Sequence, residues 1–146
     1  MTLTHSLVEV TDYVVAKLEA NRDALGLYAV YFGDQRQIPG TPVVCVEPDH
    51  KRNELISAFR KIEVVCVLQI IIYHSKVTDT QTNRRGADIL AEDIEDLLHA
   101  DPQLGGLAIH CYVTSVNSGY STKADALMRS CRIQFEVESQ NQLPGS

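Results

Sequence analysis

The residues best equipped for chemistry in this chain are five histidines, four cysteines and two dense groups of charge. His74 and His110 fall in separate apolar runs, "IIIYHS" and "LAIHCYV". If those runs are neighbouring strands, the imidazoles could meet, because opposed Cβ atoms sit about 4.5–5.5 Å apart. A catalytic zinc wants three protein ligands and a water, and the spacing supplies no third ligand. Strand histidines at half-wet positions, without a metal, are the better reading. The segment "PDHKR" sets Asp49, His50, Lys51 and Arg52 side by side. As an acid–base pair it lacks a nucleophile, and adjacent Asp and His seldom face each other. A solvated turn is expected, with a loop that touches another protein as the alternative.

Other groups carry less. The acids of "ADILAEDIEDLLHAD" lie on an unbroken apolar rhythm, whereas a calcium site spaces its acids around a glycine in a loop. They are expected to form a solvated helix face. "NRRG" places Arg84 and Arg85 in a loop, either simply exposed or set against an acidic partner surface. Cys45, Cys66, Cys111 and Cys131 form no CxxC pair, and each sits in an apolar run, where free cysteine acts as a small hydrophobe. No phosphate loop, dinucleotide fingerprint or GxSxG elbow occurs in the sequence. No catalytic, cofactor-binding or metal residue is assigned.

The totals narrow the class. A chain of 146 residues with 45% hydrophobic and 22% charged content suits one domain with its own core. A net charge of −6 argues against gripping nucleic acid, which needs clustered cations. The start, "MTLTHSLVEVTDYVV", lacks a basic leader and an uninterrupted apolar core, so folding in a cytoplasm is expected, away from any membrane.

The elements follow from periodicity. In "SLVEVTDYVVAKLEAN", Leu7, Val10, Val14 and Leu18 mark one helical face, widened by Val8 and Val15, with Asn21 and Gly26 as stops. "LYAVYFG" and "VVCVE" are expected as short strands, the second peripheral because prolines bracket it. "KIEVVCVLQIIIYHS" is shorter than the roughly 20 residues of a membrane-crossing helix. Its even positions, Ile62 to Ile72, are uniformly apolar, which predicts one long strand. After a loop, "SKVTDTQTNRRG", a second amphipathic helix carries Ala87, Leu90, Ala91, Ile94, Leu97 and Leu98. "LAIHCYVTSV" and "LMRSCRIQFEVE" alternate as strands around the connector "SGYSTKAD". In the latter, Leu127, Cys131, Ile133, Phe135 and Val137 are expected inside, Met128 outside, and Arg129 as a break in the inner row. The expected architecture is α+β: a two-layer sandwich, mostly antiparallel, with two helices on one face. One domain is expected over residues 1–138, with 139–146 a loose tail.

In that order and texture the chain resembles the tail terminator (tail completion) proteins of long-tailed bacteriophages. The likeness rests on the helix "LVEVTDYVVAKLEAN" with "IPGTPVVCVEP", on the strand ending "IIIYHS" followed by "RRGADILAEDIEDLLHAD", and on the closing pair of strands. It spans roughly residues 5 to 138. The resemblance implies a non-enzymatic virion protein: a ring, usually of six copies, that caps the tail tube, stops its polymerisation and joins the head. Its implied partners are other copies of itself, the tail tube protein and a head–tail connector or neck protein, with the tail sheath as a candidate further partner. DNA would pass through without specific binding, and the net acidity suits such a channel. Asp49, Lys51, Arg52, Arg84 and Arg85 are the candidate contact residues. Two alternatives stand beside this: a connector or neck protein of the same virion, and a small α+β enzyme or ligand-binding domain using His74, His110 or the Asp49–His50 pair. The enzyme would need converging polar groups in a pocket; the terminator needs a surface that other chains can extend.

Overall fold

Alternate side chains of the longest apolar run point to opposite sides, and the even-numbered ones are all removed from water. In the computed structural model, which describes residues 3–56, 58, 60–77 and 80–142, Ile62, Val64, Cys66, Leu68, Ile70 and Ile72 are buried in a row. From the N-terminus the elements are α1 (Leu7–Ala20), α2 (Arg22–Leu25), β1 (Ala29–Phe32), β2 (Val43–Leu55), β3 (Lys61–Lys76), α3 (Thr80–His99), a 3₁₀ turn (Leu104–Gly106), β4 (His110–Lys123) and β5 (Ala126–Gln142). The sheet order is β1-β2-β3-β5-β4, antiparallel except for the β1–β2 pair. This is the expected α+β architecture, with β3 at its centre and α1 and α3 on one face.

The core lies between that face and the helices. Val10, Val14 and Leu18 of α1 and Leu90, Ala91, Ile94 and Leu98 of α3 meet the even row of β3 and Cys131, Ile133, Phe135 and Val137 of β5. Ser6 caps α1 by accepting from the Glu9 amide at 3.2 Å, while Thr4 Oγ1 donates to the Glu9 carboxylate at 2.8 Å. Asn21 ends α1, and Gly26, at φ +70°, ends α2 in the left-handed conformation. Val8, expected to widen the apolar stripe, is exposed instead.

Four sequence-based boundaries are corrected. β2 is a long strand rather than a short one, second in the sheet with β1 outside it over Val43–Val46: it runs to Leu55, and Pro48 is absorbed by a register shift between Pro48 and His50. The loop expected at 75–86 is largely helix, since α3 starts at Thr80. Gly86 does not break it; a Cβ there would come within 2.7 Å of the His74 ring, so glycine lets the helix lie against β3. The connector "SGYSTKAD" is mostly strand, because β4 and β5 meet at a two-residue turn, Ala124-Asp125, with both φ angles positive. Finally, β5 continues to Gln142, so residues 139–142 belong to the sheet and 143–146 lie outside the described residues.

The hydrophobic sorting of β5 also changes near its start. Leu127, expected inside, is half exposed, whereas Met128 is buried with Val43, Cys45, Ile71 and Tyr73. These form a small second core on the face away from the helices, with Ile38 packed against it. Arg129 is buried, its guanidinium 4.1 Å from the Tyr120 ring centroid and donating to the Tyr120 hydroxyl at 2.6 Å.

Truncating Phe135 to alanine should remove about 3–5 kcal/mol of unfolding free energy, because the ring is fully enclosed in the main core. Leu127→Ala should change it by far less. Urea unfolding of the two variants, compared with the parent chain, reads the difference.

Candidate assembly surface

The two histidines do not meet. β5 lies between β3 and β4, so His74 and His110 are not neighbours across the sheet. His110 pairs with Glu138 at 3.0 Å, while His74 lies against α3 at the opposite end of β5. Burial lowers the His74 pKa, and its Nδ1 lies 3.0 Å from Ser75 Oγ. Among the described residues, no group of three His, Cys, Asp or Glu is placed to hold a metal ion. All four cysteines are free and buried, and burial pushes the thiols of Cys45 and Cys111 up to about 11, keeping them protonated.

"PDHKR" is strand, not turn. The register shift there lets Asp49 and His50 approach after all, with Nδ1 3.3 Å from the carboxylate. Asp49 also accepts from Gln69 at 3.4 Å. Lys51 donates to the His5 carbonyl at 3.2 Å, and Arg52 reaches Glu136 at 3.4 Å. Arg85 is exposed on α3. The side chain of Arg84 lies outside the described residues; the structure sets Asp49, Lys51 and Arg52 along one strand, with Lys51 and Arg52 on opposite faces, and Arg85 on a separate element.

What this arrangement offers is edges. β1 covers β2 only from Val43 to Val46, so the second half of β2 has no outer partner among the described residues. On the opposite side of the sheet, β4 pairs only with β5 among the described residues, and its Val113 amide donates to His99 Nε2 at 3.0 Å. A shallow cleft of about 330 Å³ runs between α3 and β4, lined by Asp88, Glu92, Glu95, Val116 and Ser118. A second cleft, about 450 Å³, lies at the end of the sheet where Ile38, Thr41, Lys76, Lys123 and Met128 converge. Beside it Tyr73 donates to Asp34 at 2.7 Å, and Lys123 pairs with the same carboxylate at 3.0 Å. Burial and that hydrogen bond together raise the Tyr73 pKa well beyond the usual phenol range.

No family model matches the chain, and no curated protein matches it. Among solved structures, its fold is similar to that of a chain from the virion of a native gene transfer agent particle. The superposition gives a TM-score of 0.69 and covers 94% of this chain and 100% of the other, at 16% identity. The two chains share a fold.

One polar knot escaped the sequence reading. Asp101, just after α3, accepts from Tyr13 at 2.8 Å, from the Gly105 amide at 3.0 Å and from Lys17 at 3.4 Å, tying α1 to the connection that leads into β4. Gly105, at φ +65°, leaves no room for a side chain, because a Cβ would sit 2.5 Å from the Tyr13 hydroxyl. Burial opposes the Asp101 charge, but these three donors outweigh it and hold the carboxyl below its ordinary range.

Asp101→Asn should therefore lower stability by about 1–2 kcal/mol at neutral pH. The folded state holds the depressed value, so the stabilisation is complete above the ordinary carboxylate pKa of about 3.9 and fades as pH falls through the lower folded value. Denaturant unfolding between pH 7 and 2 should show the gap between parent and variant closing only in the acid limb.

Proposed function

We propose that this chain is a structural protein of a phage-like virion, and specifically the terminator that caps the tail tube as a ring. The observation that carries the proposal is the end-to-end fold likeness to a chain of a gene transfer agent virion. The resemblance to tail terminators in element order and sequence texture points the same way.

The physical features suit the role. A terminator acts by presenting surfaces to tube protein, to further copies of itself and to the head-joining protein. An open sheet with two accessible edges supplies such surfaces, because free backbone donors and acceptors take up another strand. A repeated contact between unlike surfaces closes into a ring when each step rotates by a fixed fraction of a turn. The net charge of −6 favours passage of DNA over retention, since phosphate is repelled by like charge.

Purified protein added to polymerising tail tube protein from its own particle should halt growth at roughly one ring per tube end, a closed assembly of the kind rotational symmetry favours. Negative-stain images should show extra density confined to one end. Tubes that elongate unchanged and carry no terminal density, with the protein instead bound to the head portal, would replace the terminator by a neck protein.

A further inference from the structure

We infer that neighbouring copies join by pairing the open edge of β4 in one chain with the open second half of β2 in the next, locked by Lys51 against the acidic cleft between α3 and β4. This rests on the ring reading above and names the surface that would build it.

The β4 edge lacks the usual protection. From Cys111 to Thr122 it contains no charge and no proline, although charged side chains and prolines are what normally discourage strand addition. Tyr112, Val116 and Tyr120 stand 48%, 41% and 51% exposed along it. His99 occupies the Val113 amide, leaving residues 115–122 open to a partner. The open part of β2, residues 48–55, has about the same length, ~27 Å at 3.4 Å per residue.

Direction and charge select the pairing. β2 and β4 run antiparallel within the sheet, so copies set side by side in one orientation bring them together antiparallel, the better-bonded arrangement. Placing Lys51 opposite Ser118 keeps the helix-bearing faces of both sheets on the same side. Lys51 then lies beside Asp88, Glu92 and Glu95, and Glu92 and Glu95 have no ion-pair partner among the described residues. A two-fold β4–β4 pairing would instead bring two such acidic clefts together, which like-charge repulsion disfavours. Arg52 projects from the opposite face, where it pairs with Glu136 at 3.4 Å, and takes no part in this contact.

The two open segments lie at opposite ends of the sheet, so joining them staggers each copy along its strands. Five strands about 4.8 Å apart make a sheet ~24 Å wide, and a stagger of up to ~27 Å tilts the strands by at most about 48°. Closed sheets tilt by roughly 35–45°, so a slightly shorter overlap closes without strain.

The test is self-association by sedimentation velocity at low salt, up to millimolar protein, on the full chain and charge-reversed variants. Lys51→Glu, and separately Glu92→Lys with Glu95→Lys, should each weaken association roughly tenfold or more. An equimolar mixture of the two variants should restore it, since each reversed edge meets a reversed cleft, as should the three substitutions combined in one chain. The restored species also show that the variants fold. Association unaffected by either charge-reversed variant, a mixture that stays dissociated, or a parent chain that remains monomeric at every concentration would overturn the proposal. If unaffected variants still cap tail tubes, the terminator reading survives and only this interface falls.

Discussion

The sorting of β3 is the constraint on which the other elements depend. Six even-numbered side chains must leave water together, and a strand alone cannot accomplish that. Two amphipathic helices roof the row, each apolar side chain contributing about 1.5–3 kcal/mol when fully enclosed. β2 and β5 then satisfy the backbone of β3 on both sides, which fixes their registers, because slipping by one residue would turn every apolar side chain of β5 to the wrong face. The odd row has a divided fate. Ile71 and Tyr73 are enclosed by the small second core under Ile38, while Glu63 and Gln69 remain partly wet.

Much of this was legible from the residues, and the failures have identifiable causes. Periodicity carries the long strands and both helix faces, because burial on one side writes a repeat into the sequence. The second half of β2 is illegible for the opposite reason. Its outer edge and much of its surface face solvent, so "PDHKRNEL" has the composition of a turn. Gly86 imitates a helix stop while serving a close approach to His74. Leu127 and Met128 exchange places because their stretch of β5 has extra cover only on the side away from the helices. The Asp101 knot joins Tyr13 and Lys17 through space, and no local pattern announces it.

The surface residues follow a different logic from the core. Asp49, Lys51 and Arg52 were singled out by charge alone, and the structure places them on an uncovered strand rather than in a flexible turn. Their spacing is thereby set by the pleat, with Lys51 on the helix-bearing side and Arg52 on the other. A rigid strand can hold cations at fixed intervals with little entropy left to lose on contact, which a mobile loop cannot do. Arg84 and Arg85 belong to a separate element and follow the orientation of α3.

The uncharged outer strand has a consequence for how the protein must be handled by the cell that makes it. A stretch of twelve neutral residues at a sheet margin is sticky in proportion to concentration, and only the overall negative charge of the monomer holds copies apart. Accumulation of the free chain would therefore favour irregular aggregates, most strongly at high ionic strength, where that repulsion is screened.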